Sequence, residues 1–84
     1  MKTVTVYTTD RCSLCVSAKT LLERRGIDYE EINLARDPDG RAALAQLTGM
    51  LTFPQILIDG EPIGGFNELL AADREGRLTE LLAA

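Results

Sequence analysis

The order of apolar periodicities along the 84 residues predicts an α/β fold, β-α-β-α-β-β-α, with a four-stranded mixed sheet flanked by helices. Three observations carry this. In the first half, runs of β-branched and apolar residues alternate with apolar stripes at helical spacing, which is the pattern of a parallel crossover. In the second half, Asp59-Gly60 sits between two short apolar runs and signals a two-residue hairpin. Capping residues and glycines stand where the helices should begin and end.

Thr3-Val4-Thr5-Val6-Tyr7 is β-branched and aromatic with a period of two, so it reads as the first strand. Thr8 to Arg11 form a short polar loop. From Ser13 to Arg25, Leu14, Ala18, Leu21 and Leu22 recur at spacings of a helix, and Gly26 supplies a left-handed stop after Arg24-Arg25. Ile27 to Leu34 mixes Tyr29 and Ile32 with acidic residues and suits a second, less buried strand. Asp37-Pro38 has the form of an N-cap followed by proline at the first helical position. Ala42, Ala43, Leu44 and Leu47 are the expected inward stripe of this second helix, which Gly49 ends. Gln55-Ile56-Leu57-Ile58 is an apolar strand, and Glu61-Pro62-Ile63 begins its return, with Pro62 placing the returning strand at an edge. After Gly64-Gly65, Asn67 is expected to cap a third helix through Asp73; Gly76 breaks it, and Leu78, Leu81 and Leu82 dock a final short turn.

A chain of this length buries only about 60–65% of its unfolded surface, enough for one domain over residues 1–84 and one modest core. Nine Lys and Arg against thirteen Asp and Glu give a net charge of −4, which argues against nucleic acid or an anionic membrane surface as the main partner. The absence of histidine removes Ser-His and Cys-His dyads, His-ligated zinc and imidazole acid–base chemistry together. The opening residues have no long apolar region, and no stretch approaches the roughly 20 residues that span a bilayer. The expectation is a cytoplasmic monomer whose chemistry rests on two cysteines.

Cys12 and Cys15 follow a strand and open a helix. At this spacing both sulfurs share one helical face with Cβ atoms about 5–6 Å apart, so a small adjustment closes a disulfide. Cys12 would sit at the unsatisfied N–H end of the helix, which stabilises a thiolate, and Arg11 adds a positive charge beside it. Cys12 is therefore the candidate nucleophile. Cys15, one turn inside and in line with Ala18 and Leu22, is the candidate resolving thiol. Three other readings stand against this one: a structural zinc site, for which the chain offers two of four ligands; two incidental buried thiols; and a permanent disulfide, which closes too short a loop to stabilise much.

Three stretches resemble the glutaredoxin family of the thioredoxin fold, over nearly all of the chain. Val6-Tyr7-Thr8 followed by Cys12-Ser13-Leu14-Cys15 is similar to the family's strand and dithiol motif. Thr52-Phe53-Pro54-Gln55 is similar to its Thr-Val-Pro-Gln segment with a cis-proline, and Gly64-Gly65-Phe66-Asn67-Glu68 to its Gly-Gly signature. The resemblance implies a thiol-disulfide oxidoreductase with glutathione as co-substrate. It implies that the Phe53 backbone, exposed by the Pro54 turn, pairs with the cysteinyl unit of glutathione, and that Phe66 and Asn67 hold the γ-glutamyl end beside Gly65. Two departures stand out. Ser13-Leu14 replaces the common Pro-Tyr, and Thr9 replaces a usual lysine, which leaves Arg11 or Arg41 to anchor the glycyl carboxylate.

The leading expectation is a dithiol glutaredoxin that reduces protein disulfides and glutathione mixed disulfides. The alternatives are an electron donor for ribonucleotide reductase recharged by thioredoxin reductase, use of another low-molecular-weight thiol, and a carrier in which Cys12 and glutathione from two chains hold a [2Fe–2S] cluster.

Overall fold

The computed structural model describes residues 1–83. The elements follow in the order β1 (Val4–Thr8), α1 (Ser13–Arg24), β2 (Tyr29–Asn33), α2 (Pro38–Thr48), β3 (Gln55–Ile58), β4 (Glu61–Gly64), α3 (Phe66–Arg74) and α4 (Leu78–Leu82). The strands form one sheet in the order β2-β1-β3-β4. β1 pairs parallel with β2 and antiparallel with β3, and β4 returns antiparallel along β3. The fold is the thioredoxin fold of the sequence expectation, and Pro62 lies on an edge strand, where its missing N–H breaks no ladder.

Alternation decides which side chain faces which layer. Val4 and Val6 of β1 and Ile56 and Ile58 of β3 point to one face, where Ala18 and Leu22 of α1, Leu69 and Ala72 of α3, and Leu78 and Leu82 of α4 close over them. The other face is thinner. There Leu57 of β3 meets Leu34 and Leu44, with Tyr7, Ile32 and Phe53 around them. β3 is buried on both faces, which explains its apolar run from Ile56 to Ile58, whereas β2, at the sheet edge, keeps only Tyr29 and Ile32 partly covered and is the less buried strand its acidic residues suggested. The β3–β4 turn is tight because Asp59 and Gly60 both take left-handed φ, 49° and 81°, and Asp59 Oδ1 accepts a hydrogen bond from Thr3 N–H at 2.7 Å.

Two expectations are corrected. In α2 only Leu44 is buried; Ala42, Ala43 and Leu47 are exposed, and Arg41, Ala45 and Thr48 share the covered side. The cause is a polar tether: Arg41 Nη1 donates to Leu34 O at 2.6 Å and Ala35 O at 2.9 Å, which fixes the rotation of a helix whose alanines bury too little to set it. In α3 the cap is Gly65, and Asn67 lies inside the first turn. Glu68 Oε1 accepts from Gly65 N–H at 2.7 Å, so the carboxylate does the capping that Asn67 was expected to do. Strand and helix limits otherwise shift by one or two residues, as at β1, which runs on to Thr8.

α1 and α3 are also joined at one end by Arg25 Nε and Nη2, which donate to Asp73 Oδ1 and Oδ2 at 2.8 and 2.9 Å. The hydrogen bond from Arg25 holds the Asp73 carboxyl below its ordinary range, so what it adds to stability is complete above that range and is lost as pH falls through the lowered value.

The rotation of α2 yields a direct contrast. Leu44→Ala should cost about 2–4 kcal/mol through lost burial and a cavity. Leu47→Ala, at a position 61% exposed, should stay within about 0.5 kcal/mol of wild type. Urea denaturation of the two variants checks this, and equal losses would put the wrong side of α2 against the sheet.

Candidate functional site: the dithiol at the start of α1

The polypeptide leaves β1 at Thr8 and must turn before it can enter α1. Asn33 Nδ2 donates to Asp10 Oδ1 at 3.1 Å and ties the loop to β2, while Arg11 takes φ 54°, a left-handed conformation that a non-glycine residue seldom holds. The turn delivers Cys12 in an extended conformation as the N-cap of α1, where its Sγ accepts a hydrogen bond from Cys15 N–H at 3.1 Å. A sulfur thus takes the place of the usual capping oxygen. No carboxylate stands in the first turn to compete for the positive end of the helix.

Cys12 and Cys15 form a disulfide with their Cα atoms 5.2 Å apart. Cys12 is half-buried and Cys15 only 2% exposed, which gives the outer and inner sulfur of the expected pair. Leu14 and Val16 are exposed beside them and form an apolar rim. Both cysteines and Arg11 line one open cleft of about 510 Å³, together with Asp10, Lys19 and Glu31.

The other two motif-bearing stretches come together at Pro54 and Gly65. The Phe53–Pro54 peptide is cis, Pro54 is buried, and Phe53 packs on the Leu34–Leu44–Leu57 cluster. Gly65 lies against Pro54: a Cβ added at Gly65 would meet Pro54 O at 3.4 Å. The neighbouring Gly64 has φ 123°, and a Cβ there would run into the Glu68 side chain, so this turn into α3 demands glycine. Phe66 and Val16 both line the groove between α1 and α3, and Asn67 is exposed on the first turn of α3.

Arg41 does not share the cleft of the two sulfurs. It borders Phe53, Met50, Leu51 and Gln55 in a separate hollow of about 200 Å³, and its Nη1 is occupied by the Leu34 and Ala35 carbonyls. Its role is therefore at least partly structural, whereas the Arg11 side chain makes no hydrogen bond or ion pair among the described residues. The structural role of Gln55 escaped sequence reasoning, although the residue stands in the Thr52-Phe53-Pro54-Gln55 stretch. Gln55 is buried, and its Nε2 donates to Met50 O at 3.1 Å and Thr52 O at 2.9 Å, clamping the loop that presents Phe53. Its place directly after Pro54, as a polar residue opening an apolar strand, was the available signal. The Gln55 Oε1 atom is buried without a protein partner.

A bridge that can open and close between a capped outer sulfur and a buried inner one suits thiol–disulfide exchange. The comparisons with known proteins agree with it. The Glutaredoxin family model matches residues 4–63. A glutaredoxin of Pseudomonas aeruginosa is 44% identical over 84 residues, covering 100% of both chains. Glutaredoxin 3 of Escherichia coli strain K12 is 37% identical over 82 residues, covering 98% of this chain and 99% of its own. Among solved structures, the buckwheat glutaredoxin–glutathione complex superimposes with a TM-score of 0.87 at 33% identity, over 96% of this chain and 76% of that one. The glutaredoxin of Brucella melitensis gives 0.86 at 40% identity, over 98% and 89%. The redox-active cysteine pair, the thioredoxin fold around it and these matches lead to one assignment: the chain belongs to the glutaredoxin family and is a thiol-disulfide oxidoreductase.

Proposed function

We propose that the protein uses glutathione to reduce protein disulfides and glutathione mixed disulfides, with Cys12 as nucleophile and Cys15 as resolving thiol. The observation that carries this reading is the placement of Cys12 Sγ at the N-terminus of α1, on a peptide N–H, with Cys15 buried one turn below. In the reduced protein that N–H and the partial charge of the helix end favour the Cys12 thiolate. The thiolate attacks one sulfur of the substrate disulfide, and the other sulfur departs with the electron pair and takes a proton. The mixed disulfide then has two fates. Cys15 attacks Cys12 and releases a reduced protein substrate, leaving the Cys12–Cys15 bridge for two glutathione molecules to reopen; or free glutathione attacks a glutathionylated Cys12, and Cys15 is bypassed.

The same placements support a glutathione site. The Phe53 backbone offers an added-strand contact to the cysteinyl unit. Gly65 lets the main chain approach closely, and the free N–H groups at the start of α3, with Phe66 and Asn67, suit the γ-glutamyl carboxylate. The structural likeness to a glutaredoxin crystallised with glutathione supports this arrangement. For the glycyl carboxylate Arg11 is the stronger candidate, because it shares the cleft with both sulfurs and is not committed to the fold, as Arg41 is. The exposed Leu14 and Val16 would meet the apolar surface around a substrate cysteine.

Cys12→Ser should abolish reduction of both a protein disulfide and a small glutathione mixed disulfide, whereas Cys15→Ser should lose only the first, in an assay coupled to NADPH and glutathione reductase. Activity surviving in Cys12→Ser would refute the assignment of the nucleophile; turnover with thioredoxin reductase but none with glutathione would change the reductant. Arg11→Gln should raise KM for glutathione about threefold to tenfold at low ionic strength while sparing kcat, with the difference shrinking as salt is added. An unchanged KM would move the carboxylate anchor elsewhere.

A further inference from the structure

The cleft that both sulfurs line has a wall built from Thr8 at the end of β1, Glu31 on β2 and Lys19 on α1. These three side chains form one network. Thr8 Oγ1 donates to Glu31 Oε2 at 2.8 Å, and Lys19 Nζ donates to Glu31 Oε1 at 3.2 Å and Oε2 at 3.1 Å. Lys19 follows Cys15 by four residues and Cys12 by seven, so the stripe of α1 that carries both sulfurs also carries this ammonium group. Thr8 is buried, and the Lys19 and Glu31 side chains are 27% and 33% exposed, so the pair is partly shielded from solvent. The charged groups on this cleft are Asp10 and Arg11 from the loop, Lys19 from α1 and Glu31 from β2, with Asp10 bonded to Asn33.

Resolution by Cys15 is the step of the proposed cycle that has no assigned helper. The Cys15 thiol is buried and must lose its proton before it attacks, and the chain has no imidazole to take it. Glu31 is a poor choice of base. The hydrogen bond from Thr8, opposed by partial burial and reinforced by Lys19, holds its carboxyl below the ordinary range. It stays ionised and serves as an anchor.

Resting on the reading of Cys12 as nucleophile and Cys15 as resolving thiol, we propose that Lys19 is a positioning residue for resolution: held by Glu31 and Thr8, its ammonium favours the Cys15 thiolate as it forms. In the step, the Cys15 S–H gives its proton to water and the sulfur electron pair attacks Cys12 Sγ. The bond between Cys12 Sγ and the substrate sulfur breaks, and its electron pair leaves on the substrate sulfur, which takes up a proton. The two cysteines are oxidised to the bridge, and the substrate sulfur is reduced to a thiol.

Stopped-flow reaction of the reduced protein with a chromogenic aromatic disulfide separates the two attacks, since each releases one coloured thiolate. The first phase depends on disulfide concentration and reports Cys12; the second is concentration-independent and reports Cys15. Lys19→Met should move the inflection of the second phase to higher pH and slow that phase about threefold at neutral pH, and Lys19→Arg should restore it. Glu31→Gln keeps an acceptor for Thr8 and Lys19 but removes the negative charge, and should move the inflection the other way. Second-phase profiles that superimpose on wild type in both variants, or that move in the same direction, would overturn the proposal and leave the network as a clamp between α1 and β2, visible only in the melting temperature. A wild-type protein lacking the first phase would instead refute the Cys12 reading on which this one rests.

Discussion

The structure depends above all on where one sulfur sits. With no histidine in the chain, the proposed activation of Cys12 draws on the peptide dipoles of α1 and on Arg11 beside it, and its Sγ occupies the N-cap of α1 within reach of the Cys15 N–H. That placement fixes much of the local chain. The left-handed Arg11 turns the loop, Asp10 is moored to Asn33, and α1 begins without acidic residues. An N-cap serine oxygen would satisfy the same N–H, but only a sulfur makes the cap a nucleophile.

The sheet turns this local arrangement into a site. β1 delivers the dithiol loop, and its antiparallel neighbour β3 begins immediately after Pro54, so the loop presenting Phe53 is tied to the strand beside the one that leads to Cys12. Gly65 on Pro54 then brings the start of α3 to the same region. Three stretches distant in sequence meet because the central strand is buried on both faces and has no freedom to slide. The helices of the thicker face are locked by Leu22 and Leu69 at one level and by the Arg25–Asp73 pair at their far end. The face under α2 is the more thinly covered of the two.

Most of the fold was legible because its signals were local and redundant. Asp59-Gly60 fixed a hairpin by backbone preference, Ile56 to Ile58 were apolar without interruption, and Asp37-Pro38 announced a helix start, each independent of tertiary context. The rotation of α2 was not legible. Its alanines carry little burial energy in any direction, so the Arg41 tether to backbone carbonyls decides, and such a tether leaves no trace in periodicity. The cap of α3 was misread for a related reason: Gly65 has no side chain to signal a cap, and its partner Glu68 stands three residues on. At the site, the cysteine pair, the cis Pro54 and the Gly64-Gly65 turn could be named in advance. The Gln55 clamp and the network of Thr8, Lys19 and Glu31 could not, since they join strands and a helix whose register only folding sets.

The reactivity of Cys12 is the direct test of whether the start of α1 stabilises its thiolate. The direct measurement is the pH dependence of iodoacetamide alkylation of Cys12 in the Cys15→Ser protein. The rate should hold at its plateau through neutral pH and fall only in the acidic range, well below the value of about 8.5 for a free cysteine. A rate that instead drops tenfold per pH unit from about pH 8.5 downward, as for an unperturbed thiol, would contradict that stabilisation.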